Sequence, residues 1–163
     1  MPNVRGFVNF VAFFRLVYEL DEMSDSQRER LVRDGKPIIC VRGTLGSELF
    51  IAPDEGDPVF VKHRYSPFSN AAFAQLLKDR LIENIAVSGV DTHICVEAAI
   101  RHGYDLGYRM IILDDLVGTR RSELDKHEYS LALCERYFAL RLESQDFLSV
   151  LRNSSHAVRG LNG

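Results

Sequence analysis

Short β-branched apolar runs recur along the second half of this chain, and each is followed by a stretch with helical signals. Val59-Phe-Val61, Ile85-Ala-Val-Ser88 and Met110-Ile-Ile-Leu113 are of strand length and are bounded by turn residues. Between the first two, Ala71 to Leu81 carries Phe73, Leu76, Leu77 and Leu81 at helical spacing. Thr92 stands as an N-cap for a helix to about Leu106, with Gly107 as its C′ stop. Ser122, three residues before Asp125, opens another helix through about Cys134. Met110 to Leu113 ends at Asp114 and Asp115, Ala139-Leu140 reads as a last short strand, and Ser144 caps a helix through Leu151. Strands alternating with helices predict an α/β fold, a parallel sheet with helices on both faces and right-handed crossovers. Sites in such sheets lie at the carboxyl ends of the strands.

The first half is less regular. Val8 to Phe14 is aromatic and β-branched and predicts a buried strand. Ser24 and Gln27 have capping-box spacing for a short charged helix ended by Gly35. Pro37 to Val41 reads as a short strand weakened by its proline, and Gly43 to Glu48 as a loop. With 163 residues, no repeat and no linker, the chain is one domain, drawn at 1–152 with an irregular, disordered tail at 153–163. A net charge of −3 argues against a nucleic-acid or anionic-membrane partner held by bulk electrostatics. No apolar run is long enough to span a bilayer, and Asn9 and Arg15 interrupt the one stretch resembling a leader. Cys40, Cys95 and Cys134 are odd in number and lack metal-type spacing, which suits a reducing compartment such as the cytoplasm.

Ser88-Gly-Val-Asp-Thr-His-Ile-Cys-Val96 is the most informative stretch. A strand ends in Gly89, a tight polar turn follows, and Cys95 falls in the first turn of the next helix. Unpaired N–H groups there favour a thiolate and can face an oxyanion formed when sulfur attacks a carbonyl. On position alone, Cys95 serves as readily as a small residue packing helix on sheet. Lys62 sits at another carboxyl end, where an apolar strand hands over to His-Arg-Tyr-Ser-Pro-Phe68. It is placed either to stabilise negative charge or to lie solvated at a strand end.

Gly43-Thr-Leu-Gly-Ser-Glu-Leu49, Gly56-Asp-Pro-Val-Phe-Val-Lys62, Arg64-Tyr-Ser-Pro-Phe68, Gly89-Val-Asp-Thr-His-Ile-Cys-Val96 and Gly107-Tyr-Arg-Met with Asp114 follow one another in a familiar order. From about Val8 to Leu151 the chain resembles the isochorismatase-like cysteine hydrolases, the superfamily of nicotinamidases, carbamoylsarcosine amidases and ureidoacrylate amidohydrolases. The resemblance implies a three-layer αβα, Rossmann-like fold around a six-stranded parallel sheet and a Cys–Lys–Asp triad. Cys95 matches the nucleophile and Lys62 the triad lysine. A cis peptide would fall at Val90-Asp91, with the backbone N–H groups of Asp91 and Cys95 as the oxyanion hole. The implied reaction is hydrolysis of a small amide or carbamoyl-type C–N bond through a thioester, without a cofactor, in a homo-oligomer.

The resemblance also implies what is missing. The family's aspartate follows the first strand in an Asp-x-Gln motif that this sequence lacks, and Val8 to Phe14 with Phe14-Arg15 and Tyr18-Glu19 looks like the second strand and its sequel. One β–α unit of roughly 30 residues is therefore expected to be absent ahead of Met1, leaving unpaired backbone on two neighbouring strands. Asp91, Asp114 and His93 are the nearest alternatives for the base, and none is preferred. Arg15 to Asp25 has no histidine, so the metal site of nicotinamidases is not expected; His102 and His127 read as surface helix residues. The alternative to a hydrolase is a scaffold that has lost turnover with the aspartate.

Overall fold

The computed structural model describes residues 8, 10–19, 21, 23–35 and 38–160. In chain order the elements are β1 (Phe13–Leu16), α1 (Asp25–Asp34), β2 (Val59–Lys62), α2 (Ala71–Asp79), β3 (Asn84–Val90), α3 (Glu97–Asp105), β4 (Arg109–Gly118), α4 (Leu124–Tyr137), β5 (Ala139–Leu142) and α5 (Ser144–Gly160). Among the described residues all strand pairing is parallel, as alternation with helices requires. Among the described residues, however, the strands form two sheets. β1 pairs with β2, Phe13 opposite Val59 through Leu16 opposite Lys62, while β3, β4 and β5 form a separate three-stranded sheet.

Side chains join what backbone ladders do not. Phe73 of α2 meets Phe14 of β1 edge-on, with ring centroids 4.7 Å apart, and lies 5.5 Å from Phe60 of β2. Phe68 continues the cluster, 5.6 Å from Phe73 and stacked on Tyr108 at 5.5 Å. Leu77, Val96, Ile100, Met110, Ile112, Leu131 and Cys134 complete this core, against which Ile85 and Val87 of β3 also pack. Aromatic pairs contribute about 0.5–1.5 kcal/mol each beyond the area they bury, so this chain of rings helps hold the two sheets together. At Gly103 a Cβ would stand 2.5 Å from Met110 Sδ and 2.9 Å from Phe68 Cε2. Only a residue without a side chain lets α3 approach β4 this closely.

Local chemistry accounts for most element ends. Ser24 and Gln27 form the capping box of α1: the Ser24 N–H donates to Gln27 Oε1 at 3.1 Å, and the Gln27 N–H to Ser24 Oγ at 3.4 Å. Asn70 caps α2, its Oδ1 accepting the Phe73 N–H at 3.0 Å. Gly107, with φ +90°, follows α3 as the C′ residue.

Several elements differ from the sequence expectation, each for a tertiary reason. The first strand begins at Phe13 rather than Val8, because its partner β2 begins at Val59. Within residues 38–41 only Val41 pairs, as a single bridge to Tyr18, and Cys40 takes a left-handed φ of 61° that a strand does not admit; Pro37 lies outside the described residues. β4 runs past Asp114 and Asp115 because both carboxylates have partners. Asp114 binds Arg141 of β5 at 2.7 Å, and Asp115 accepts the Ser144 N–H at 2.7 Å and its hydroxyl at 2.6 Å, opening α5. Hydrogen bonding to Ser144 lowers the Asp115 pKa, favouring the charged cap. α5 continues to Gly160, where the sequence predicted an irregular tail from Asn153; no proline interrupts 153–160 to stop its ladder. Among the described residues no helix is long and apolar enough to cross a membrane.

Candidate active site

The carboxyl ends of β2 and β3 bring Lys62 and Cys95 together. β3 ends at Val90, the Val90–Asp91 peptide bond is cis, and a π-helical turn over Thr92–Val96 leads into α3. In that turn the Asp91 carbonyl accepts the N–H groups of Ile94, Cys95 and Val96 at 3.1, 3.0 and 3.3 Å. Cys95 is half-buried. Lys62, the last residue of β2, is only 7% exposed, and its ammonium donates to the Tyr65 carbonyl, with Cys95 beside it. Burial lowers the lysine pKa, and the cysteine beside it opposes that shift. The solvated strand-end reading of Lys62 is thereby replaced by a buried cation aimed at a thiol.

The wall around this pair comes from the chain after β1. Tyr18 is buried, with its N–H donating to the Cys40 carbonyl at 2.8 Å and its phenol near Tyr65. Burial, then Tyr65, Cys95 and Cys40, raise the Tyr18 pKa and keep the phenol neutral. Cys40 is also raised, chiefly by burial and next by Cys95, with Lys62 acting against both. Sequence reasoning gave Tyr18 and Cys40 no place in the site. Tyr18 lies 44 residues before Lys62 and 77 before Cys95, and only the pairing of β1 with β2 brings it there.

The alternatives for the base are engaged elsewhere. Asp91 Oδ1 accepts from the Thr119 hydroxyl at 3.4 Å, and Oδ2 lies 3.8 Å from Arg120. His93 is 3.4 Å from the same hydroxyl and 3.6 Å from Glu123. Asp114 is held by Arg141. Of the two amides expected at an oxyanion hole, that of Cys95 donates to the Asp91 carbonyl. Thr92 does not cap the helix; its hydroxyl donates to the Gly118 carbonyl at 2.9 Å, and Asp91 holds the cap position without a side-chain bond. His127 is not a surface residue: its ring is 14% exposed and reaches Thr92, because α4 packs on the Cys95 turn. His102 is exposed, bonded to Ser66 at 3.0 Å. Among the described residues no group of three or more His, Cys, Asp or Glu side chains is placed to hold a metal ion.

Comparison with known proteins agrees with this fold. The isochorismatase domain family matches residues 5–146. Ureidoacrylate amidohydrolase RutB of Azorhizobium caulinodans is 43% identical over 65 residues, 40% of this chain and 29% of the relative. RutB of Klebsiella pneumoniae is 40% identical over 100 residues, 60% of this chain and 42% of the relative. The chain thus spans less than half the length of these relatives. A cysteine hydrolase from Pseudomonas syringae superposes with a TM-score of 0.79 at 21% identity, over 91% of this chain and 75% of that structure. Nicotinamidase PncA from Bacillus subtilis gives 0.70 at 20%, over 86% and 78%. Parallel strands flanked by helices, a fold shared with these structures and a family match covering most of the sequence lead to one conclusion: the chain belongs to the isochorismatase family.

Proposed function

We propose that this chain carries the nucleophile and cation of a cysteine hydrolase acting on a small amide or carbamoyl-type C–N bond. The placement of the buried Lys62 ammonium beside Cys95 supports this reading most directly. The thiolate attacks the carbonyl carbon, forming a C–S bond and a tetrahedral oxyanion; collapse breaks the C–N bond, and ammonia or an amine leaves with a proton. Water then attacks the thioester and returns the sulfur. Lys62 offsets charge on the thiolate, while Val90, Asp91 and Cys95 shape the turn on which the oxyanion forms. The names of the sequence relatives make a ureido acid the first substrate to test. In this reading the thiol proton passes to water and is returned to the leaving nitrogen, since Asp91, His93 and Asp114 are bonded elsewhere. Self-association in the cytoplasm completes the reading, supported by exposed Leu45, Phe50 and Ile51.

A specific observation favours a second reading, a scaffold without turnover: Asp91, His93 and Asp114 all have partners away from Cys95. Ammonia release from ureidoacrylate, other carbamoyl acids and nicotinamide separates the two readings. The assay compares the chain as given, its Cys95→Ala variant, and a version extended by a strand ending in Asp-x-Gln. Turnover by the chain as given that disappears in Cys95→Ala supports the hydrolase. Turnover only in the extended version assigns the chain as given to the scaffold reading. Turnover that survives Cys95→Ala overturns the nucleophile assignment.

A further inference from the structure

One buried hydroxyl fastens the Cys95 turn to two other elements. Thr92 is 1% exposed, and its Oγ1 lies 2.9 Å from the Gly118 carbonyl and 2.8 Å from His127 Nδ1. A carbonyl only accepts, and a hydroxyl has a single proton, so Thr92 donates to Gly118. Its lone pair then faces His127, which requires the hydrogen of the imidazole to sit on Nδ1. The chain of donation runs from α4 through the turn to the end of β4.

The position of this chain gives it consequence. The β3–β4 ladder ends with Val90 opposite Gly118, and there the backbone turns away. The Thr92 side chain takes over at that point, tying the next residues to the same β4 carbonyl. Asp91 and His93, on either side, reach Thr119 only at 3.4 Å, so the two short bonds of Thr92 are the firmer tether. Cys95 lies three residues on, and its amide and those of its neighbours converge on the Asp91 carbonyl. A turn free to shift against β4 would carry the thiol away from the Lys62 ammonium.

We propose that His127 and Thr92 are positioning residues, which together hold the turn bearing Cys95 in register with β4 so that the thiol meets Lys62. This rests on the hydrolase reading only for its effect on turnover, and the principal measurement is independent of it. In the wild-type protein, nitrogen NMR of the neutral His127 ring is expected to show the hydrogen on Nδ1; a ring protonated on Nε2 alone reverses the donation and overturns the proposal. The rate at which iodoacetamide alkylates Cys95 then compares His127→Leu, His127→Asn, Thr92→Val and Thr92→Ser. Leu and Val, which delete a bond, should slow Cys95 by roughly five- to tenfold, the worth of one buried hydrogen bond. Asn and Ser, which keep the donor and the hydroxyl, should restore the rate to within about threefold of wild type. Cys40 alkylation should be unmoved throughout. Equal Cys95 rates in all four variants, or loss without rescue by Asn and Ser, overturn the proposal. Where turnover is measurable, kcat should follow the alkylation rates with KM unchanged. An alkylation effect in a protein without turnover leaves the positioning role standing and removes the hydrolase reading, whereas turnover indifferent to His127→Leu does the reverse.

Discussion

Replacing Lys62 with methionine should stabilise the fold while silencing the site. Lys62 is 7% exposed at the end of β2, and burial depresses its pKa below the ordinary 10.5. A buried ion carries an effective penalty of several kcal/mol, while a hydrogen bond from a charged donor, such as that to the Tyr65 carbonyl, returns about 1.5–3 kcal/mol. Methionine has a similar length and no charge, so the variant gains on the order of 1 kcal/mol at neutral pH, or about 2–4 °C in Tm for a domain of this size. The pH dependence carries the sign. Below the folded-state pKa both states hold the proton and the full penalty is present. As the pH rises through the folded value toward 10.5, the folded chain releases its proton first, the unfolded chain binds more protons, and the wild type recovers stability relative to the variant. Urea unfolding of both proteins between pH 7 and 10, with Cys95 alkylation in parallel, tests this. A variant more than about 1 kcal/mol less stable than wild type at pH 7, or a difference flat across the range, refutes the assignment of Lys62 as a buried cation under strain from its surroundings.

Three other outcomes follow from the packing and the titrations. Gly103→Ala forces Met110 and Phe68 aside and should destabilise by about 1–2 kcal/mol after its gain in helix propensity, with partial rescue by Met110→Val; a Tm at or above wild type refutes the close approach of α3. Iodoacetamide on the native protein should label Cys95 before Cys40 and leave Cys134 untouched until unfolding, since burial pushes the Cys134 thiol up to about 11 and leaves roughly one thiolate in a thousand at pH 8; peptide mass mapping reads the order. Asp114→Asn should cost about 1–2 kcal/mol through the Arg141 pair and leave Cys95 alkylation unchanged, whereas a drop in that rate would bring Asp114 back as a base.

How much of this was legible in advance divides along the range of the forces involved. Capping at Ser24, termination at Gly107 and the strand–helix alternation of the second half are set by neighbours a few residues apart, and such local preferences survive any tertiary context that does not oppose them. The length of β4 was not legible, because Asp114 and Asp115 are strand breakers until Arg141 and Ser144 neutralise them from elements far along the chain. The role of His127 was hidden for the same reason: on a helical wheel it is a polar residue, and only the packing of α4 on the turn gives its ring a partner.

The sequence by itself determined the fold class, the family and the two residues, Lys62 and Cys95, on which the proposed chemistry turns, because strand and helix periodicity and motif spacing are one-dimensional properties. The tertiary structure alone decided that the strands of the described residues divide into two sheets bridged by aromatic side chains. It also decided that Tyr18 and Cys40 wall the site, and that Asp91, His93 and Asp114 are bonded away from the thiol. Which donor meets which acceptor depends on distances between segments tens of residues apart, and those distances exist only once the apolar surfaces of the helices and strands have been buried against one another.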